Sequence, residues 1–172
     1  MSQFVPRLAR GAAACAAGSI VYSPARMSSV EKAVELFRGG CACSQAVLAT
    51  YGLRYGLAED QALRVAAAFA GGMRMGETCG AVTGAFMVLG LAHCTSKCRK
   101  AEGRTGAYAA VAAFAEAFET RNGSLSCREL LGCDVSTPAG NQAAREKGLF
   151  TTTCPRLVRD ASEILEATLP KP

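Results

Sequence analysis

The stretch CGAVTGAFMVLGLAHC, residues 79–94, contains no Asp, Glu, Lys or Arg and is the longest apolar run in the chain. It constrains the fold more than any other segment. A helix that is apolar all round has no face to offer to water, so it must lie inside a covering layer of other elements. The run is shorter than the roughly 20 residues that a membrane-spanning helix needs. It therefore reads as a buried core helix, and no stable membrane span is expected. Gly80 and Gly84 stand four apart on it, which leaves one helix face without side-chain bulk for a close neighbour.

The rest of the sequence supplies that neighbour and the cover. Ser28-Ser29-Val30-Glu31 has the form of a capping box, and the helix it opens runs to Phe37 and stops at Gly39-Gly40. A second helix starts near Cys43 or Ser44, carries Val47, Leu48 and Tyr51, and fades over Gly52–Gly56. A third starts near Glu59, presents Leu63, Ala66, Ala67 and Phe69, and ends at Gly71-Gly72. The apolar run itself is a fourth, from Cys79 to about His93. A fifth spans Tyr108–Phe118, with Val111, Phe114, Ala115 and Phe118 on one face, and is closed by Asn122-Gly123. A short helix follows over Ser126–Leu131. Thr137 as N-cap and Pro138 at the first helical position open the next, which ends at Gly148. The last begins around TTTCPRLV and buries Leu157, Val158, Ala161, Ile164 and Leu165. No strand pattern competes. Half the residues are hydrophobic, the excess being Ala and Gly, and Trp is absent. That balance suits closely packed helices and not a β-sandwich. The expected fold is all-α, a single compact domain of about seven to eight short helices with Gly-rich turns.

Residues 1–27 differ from this pattern. They are rich in Arg, Ala and Ser and carry no acid, as organellar transit peptides do. The run Gly11–Tyr22 would make a poor signal-peptide core, and a third reading starts the folded chain at Met27. The expected organisation is a leader or disordered extension over 1–27 and the helical domain over 28–172. The expected location is cytoplasmic, or mitochondrial or another organelle if the leader is a transit peptide. The formal charge is +5, and Arg7, Arg10 and Arg26 supply three charges before the first acid, Glu31. The remaining excess is too weak to suggest a nucleic-acid partner. Lys97, Arg99, Lys100 and Arg104 read as a solvated loop or helix end.

Nine cysteines are many for an intracellular chain and an odd number for a secreted one, so metal or redox chemistry in a reducing compartment fits better than a disulfide framework. Four of them fall at predicted helix starts: Cys43, Cys79, Cys127 and Cys154. There the unpaired N–H groups and the positive end of the helix dipole favour a thiolate. The same environment would populate a lone reactive thiolate or stabilise an anionic cluster by hydrogen bonds to its sulfurs. Cysteines that merely pack are the remaining alternative. Cys41 forms a C-x-C pair with Cys43 and reads as a candidate resolving thiol. Cys94 and Cys98 are an i, i+4 pair beside His93, the only histidine, in H-C-x-x-x-C but lack a second pair of ligands for a closed zinc site. Cys133 reads as structural, and Cys15 lies in the leader, outside the chemistry. No C-x-x-C, no haem-attachment C-x-x-C-H and no nucleotide-binding G-x-x-x-x-G-K-[ST] is present.

CSQAVL (43–48), AGGMRMGETCGAVTGAFMVLGL (70–91), CRELLGCDVSTPAG (127–140) and AREKGLFTTTCPRLVRDASEIL (144–165) together resemble the C_GCAxxG_C_C family of redox-active proteins. The C-G-A-x-x-G motif stands as Cys79-Gly80-Ala81-Val82-Thr83-Gly84, and the resemblance covers about Val30 to Leu165. It implies a small all-helical domain with a redox role and assigns the family's defining cysteines to Cys43, Cys79, Cys127 and Cys154. Some relatives are selenoproteins. A similar domain in split-Soret cytochromes c is associated with an iron–sulfur centre, and no substrate is implied. The leading expectation is a small redox protein in which these four cysteines converge on an iron–sulfur centre, [2Fe–2S] or another metal centre, for electron transfer. The alternatives are a metal-free thiol–disulfide oxidoreductase or redox sensor using Cys79 with Cys43 or another partner, and a non-catalytic helical interaction module. The expected partner is an unidentified redox protein, and a homodimer is left open.

Overall fold

Ser28 begins the first helix in the computed structural model, which describes residues 27–94 and 97–170. Residues 1–26 of the expected leader, Cys15 among them, lie outside the described residues. The Ser28 hydroxyl accepts the Glu31 N–H at 3.1 Å and donates to the Glu31 carboxylate, so one side chain closes the N-terminus of α1 (Ser29–Arg38). Seven further helices follow: α2 (Cys43–Tyr51), α3 (Glu59–Ala66), α4 (Gly80–His93), α5 (Thr105–Asn122), α6 (Cys127–Leu131), α7 (Pro138–Glu146) and α8 (Thr153–Thr168). The fold is all-α. The described residues form no strand and only one isolated bridge, between Thr78 and Ser126.

The apolar run is the interior helix that its composition requires. In α4, Gly80 to Ala85, Val88 and Leu89 are buried. Helix α2 is buried from Ala46 to Tyr51 and packs against α1, α3, α4 and α8. The two central helices meet at Gly84. A Cβ there would lie 2.8 Å from the Ser44 carbonyl oxygen and 3.1 Å from Val47 Cβ, so any larger residue would force α2 away. Helix α5 covers α4 and α8 with Phe114 and Phe118, and α8 contributes Leu157, Val158, Ala161, Ile164 and Leu165 to the core. The Tyr51 hydroxyl donates to the Ser162 carbonyl at 3.2 Å inside this core.

The chain departs from the sequence expectation after α3. That helix ends at Ala66, and a tight turn over Ala67–Phe69 leaves Ala67 and Phe69 exposed instead of in the core. The reason lies just beyond. Gly71, Gly72, Met73 and Arg74 all adopt left-handed backbone, with φ of 61°, 63°, 56° and 61°. A run of that hand cannot continue a right-handed helix, and it turns the chain back toward α4. A second, smaller core of Cys127, Leu131, Val135 and Ala144 sits beside this turn, covered by Leu149, Phe150 and Cys154.

Candidate redox centre

Each of the four helix-start cysteines occupies the terminus the sequence implied. Cys43 is the first residue of α2, Cys79 the N-cap of α4, Cys127 the first residue of α6 and Cys154 the second residue of α8. Local hydrogen bonds explain the placement. The Ala42 N–H donates to the Gln45 side chain at 2.9 Å, which closes α2 just ahead of Cys43. The Ser44 hydroxyl, buried, donates to the Ala66 carbonyl at 2.8 Å and ties the start of α2 to the end of α3. Around the Thr78–Ser126 bridge, the Cys79 N–H donates to Leu125 at 2.8 Å and the Cys127 N–H to Glu77 at 2.6 Å. Those two bonds hold the segments bearing Cys79 and Cys127 side by side.

All four cysteines line one cavity of about 480 Å³, together with Cys41, Arg74 and Arg145. Cys79 and Cys127 are buried, and Cys43 and Cys154 are half-buried. The glycine after Cys79 is required for this closeness, because a Cβ at Gly80 would overlap Cys43 Sγ and stand 3.0 Å from Ala70 Cα. Gly72 makes similar room behind Cys127, since a Cβ there would stand 3.0 Å from Cys127 Cβ. Arg128 fastens the left-handed turn over the site. It donates to the Met75 carbonyl at 2.6 Å and to the Glu77 carboxylate at 2.8 Å.

The electrostatics correct one expectation. The helix terminus was expected to make Cys79 more acidic than an ordinary thiol. Burial instead pushes it well above the ordinary value, the charge of Cys43 pushes the same way, the Ala81 amide opposes them, and Cys127 and Cys154 add smaller upward contributions. Desolvation, then Cys43, raises Cys127 and Cys154 from near 9 to about 12. Cys43 is also raised by burial, offset in part by the amides of Gly71, Ser44 and Gly80. A helix dipole contributes a fraction of a charge, whereas full desolvation shifts a buried group by several units, so burial prevails. Without a bound cation these thiols stay protonated at neutral pH.

Two further cysteines belong to the neighbourhood. Cys41 lines the cavity, and Cys133, read from sequence as structural, packs with Cys127 and Cys154 and adds its charge to the forces raising both. Its position after the left-handed Gly132 that ends α6 gave no sign of that in the sequence. Arg74 and Arg145 were also missed, since nothing in their spacing ties them to the cysteines. Cys94 and Cys98 are joined as a disulfide, with Cα atoms 5.7 Å apart, at the far end of α4. Bonded to each other, they do not offer two thiolates beside His93 to a metal ion. Among the described residues no three His, Cys, Asp or Glu side chains are arranged to hold a metal ion.

A family model described as "Putative redox-active protein (C_GCAxxG_C_C)" matches residues 41–168. The chain belongs to the C_GCAxxG_C_C family. That match spans α2 to α8 and includes every cysteine that lines the cavity. No curated protein and no solved structure matches the chain. Within this C_GCAxxG_C_C member, the motif's glycines have a visible cause: Gly80 makes room for Cys43 and Gly84 for α2.

Proposed function

We propose that this protein transfers electrons through an iron–sulfur centre held by Cys43, Cys79, Cys127 and Cys154. The single observation that carries the reading is that four thiols from four helix starts line one cavity. Their chemistry fits such a group. Four cysteine sulfurs are the usual ligand set of small iron–sulfur clusters. Thiols disposed around a space, and not gathered at one point, suit a cluster that brings its own bridging sulfide. The mainly apolar enclosure also fits, and Arg74 and Arg145 on its wall would offset the negative charge of four thiolates. When bound, the cluster supplies a one-electron couple. The protein's own part is to hold the four sulfurs at fixed positions, to direct the amides of Gly71, Ser44 and Gly80 toward Cys43, and to limit water.

Desolvation weighs against the metal-free thiol–disulfide alternative. A nucleophilic cysteine must be a thiolate, and burial disfavours that form at Cys79. A coordinating metal reverses the balance because it deprotonates a thiol outright. The test is anaerobic reconstitution of the reduced protein with iron and sulfide. The expected result is visible absorbance that bleaches on reduction, with iron and sulfide in equal amounts. Serine at any of the four positions should lower the bound iron, whereas Cys94→Ser should not. Wild-type protein that takes up no iron, yet forms a reversible disulfide between two of the four, would replace this reading with the thiol–disulfide one.

A further inference from the structure

The cavity continues outward into a groove of about 360 Å³ over α7, and Arg74, Val135, Asn141 and Arg145 belong to both. No acidic residue lines either space. Among the described residues neither arginine makes an ion pair. Arg74 makes no hydrogen bond, and Arg145 donates only from Nε, to Asn141 Oδ1 at 3.1 Å, while its guanidinium stands 5.7 Å from the centre of the Phe150 ring. The neighbouring acids are already engaged. Asp134 accepts from the Ser136 amide and hydroxyl, and Glu146 accepts from Gln142. Other arginines of this protein behave differently: Arg54, Arg121, Arg128, Arg156 and Arg159 each meet a carboxylate within 4.0 Å. Two guanidiniums held at one opening without counter-charge make a receptor for an anion, since each offers forked donors matched to carboxylate or phosphate oxygens.

We infer that Arg74 and Arg145 form an anion-binding mouth that admits small molecules bearing a carboxylate or phosphate group to the thiol-lined cavity. Arg74 reaches this position through left-handed backbone, φ 61°, which a non-glycine residue rarely adopts. Arg145 is steadied by Asn141 and by Phe150, itself a wall of the inner cavity. The inference rests on the cavity being the redox centre, and it adds the charge class of what can approach that centre.

Two alkylating reagents that differ in one charged group test it. Iodoacetate carries a carboxylate and iodoacetamide does not, and each transfers its carbon to a thiolate with loss of iodide. Reduced, metal-free protein is treated with each, and modification of Cys43, Cys127 and Cys154 is followed separately by peptide mass spectrometry. The ratio of the two rates cancels any change in thiol acidity, because acidity affects both reagents alike. In the folded wild type the iodoacetate-to-iodoacetamide ratio should exceed that of the urea-unfolded chain by about fivefold or more, and added salt should reduce it. Arg74→Gln together with Arg145→Gln should return the ratio to the unfolded value, and lysine at both positions should keep most of it. Inorganic phosphate and acetate, added as competitors, distinguish which oxyanion the mouth prefers. If the double variant does not fold, Arg74→Gln alone, at an exposed side chain without bonds, gives the same comparison. A ratio unchanged by these substitutions overturns the inference. Iron and sulfide content of the reconstituted proteins is measured beside it. A cluster that loads while the ratio stays flat overturns only the mouth, and a ratio that moves in a wild type that binds no iron overturns only the cluster.

Discussion

Cys79 shows how two local effects of opposite sign are ranked by magnitude. Its place at the start of α4 favours the thiolate, and its burial among three other sulfurs disfavours it more. Alkylation of Cys79 in reduced, metal-free protein should therefore show a pH midpoint above the reference thiol value of about 8.5. A midpoint below it would mean that water reaches the site. The same raised values link protonation to stability. A thiol whose folded pKa exceeds its unfolded one stabilises the fold fully below the unfolded value and loses that contribution as pH rises through the folded one. For Cys127 and Cys154 the window runs from near 9 to about 12. The melting temperature of the metal-free protein should fall across that window, and Cys127→Ser with Cys154→Ser should flatten the fall. Tyr51 is raised as well, by burial, but it is common to both proteins and cancels in the comparison. Gly80→Ala is the sharpest steric test: its methyl would overlap Cys43 Sγ, so iron uptake should drop even where the helix stays folded.

Among elements, the contact of α2 with α4 is the one that a single methyl can measure. Gly84→Ala gains up to about 1 kcal/mol of helix propensity. It also places a carbon 2.8 Å from the Ser44 carbonyl oxygen, and overpacking of that kind typically costs about 1–3 kcal/mol. The net expectation is a lower midpoint in urea unfolding with an unchanged slope. The left-handed turn before α4 depends on a different residue. Arg128→Ala removes the donor to Met75 and Glu77, and amide exchange over 71–77 should quicken while α2 and α4 stay protected. These elements also mark how far the sequence could be read. Helix starts and stops were legible because caps are local chemistry: Ser28 with Glu31 and Thr137 with Pro138 at starts, and Gly123 at the end of α5. The left-handed turn was not. Met73 and Arg74 have no side-chain reason to adopt it, and only the packing of Gly72 on Cys127 and the grip of Arg128 impose it. Cys133 and the two mouth arginines were hidden for the same reason, since only the folded chain brings them to the cavity.

For the whole molecule, the four cysteines come from segments spaced across most of the helical domain, and the cavity they line joins the starts of α2, α4, α6 and α8. Loading the proposed cluster should raise the melting temperature, because binding to the native state alone stabilises that state by mass action. The Ser28 side chain itself caps α1, so a chain beginning at Met27 should melt at the temperature of the full chain. A clear drop would mean that residues 1–26 pack on the domain. Cys154, the last of the four in the chain, is also the last to be synthesised. Cys154 follows Cys43 by most of the domain's length, with Cys79 and Cys127 between them. A nascent chain halted anywhere before α8 therefore exposes an incomplete set of donors. If the proposed cluster is the protein's own, only finished molecules could load it, and bound iron would tell them from truncated ones.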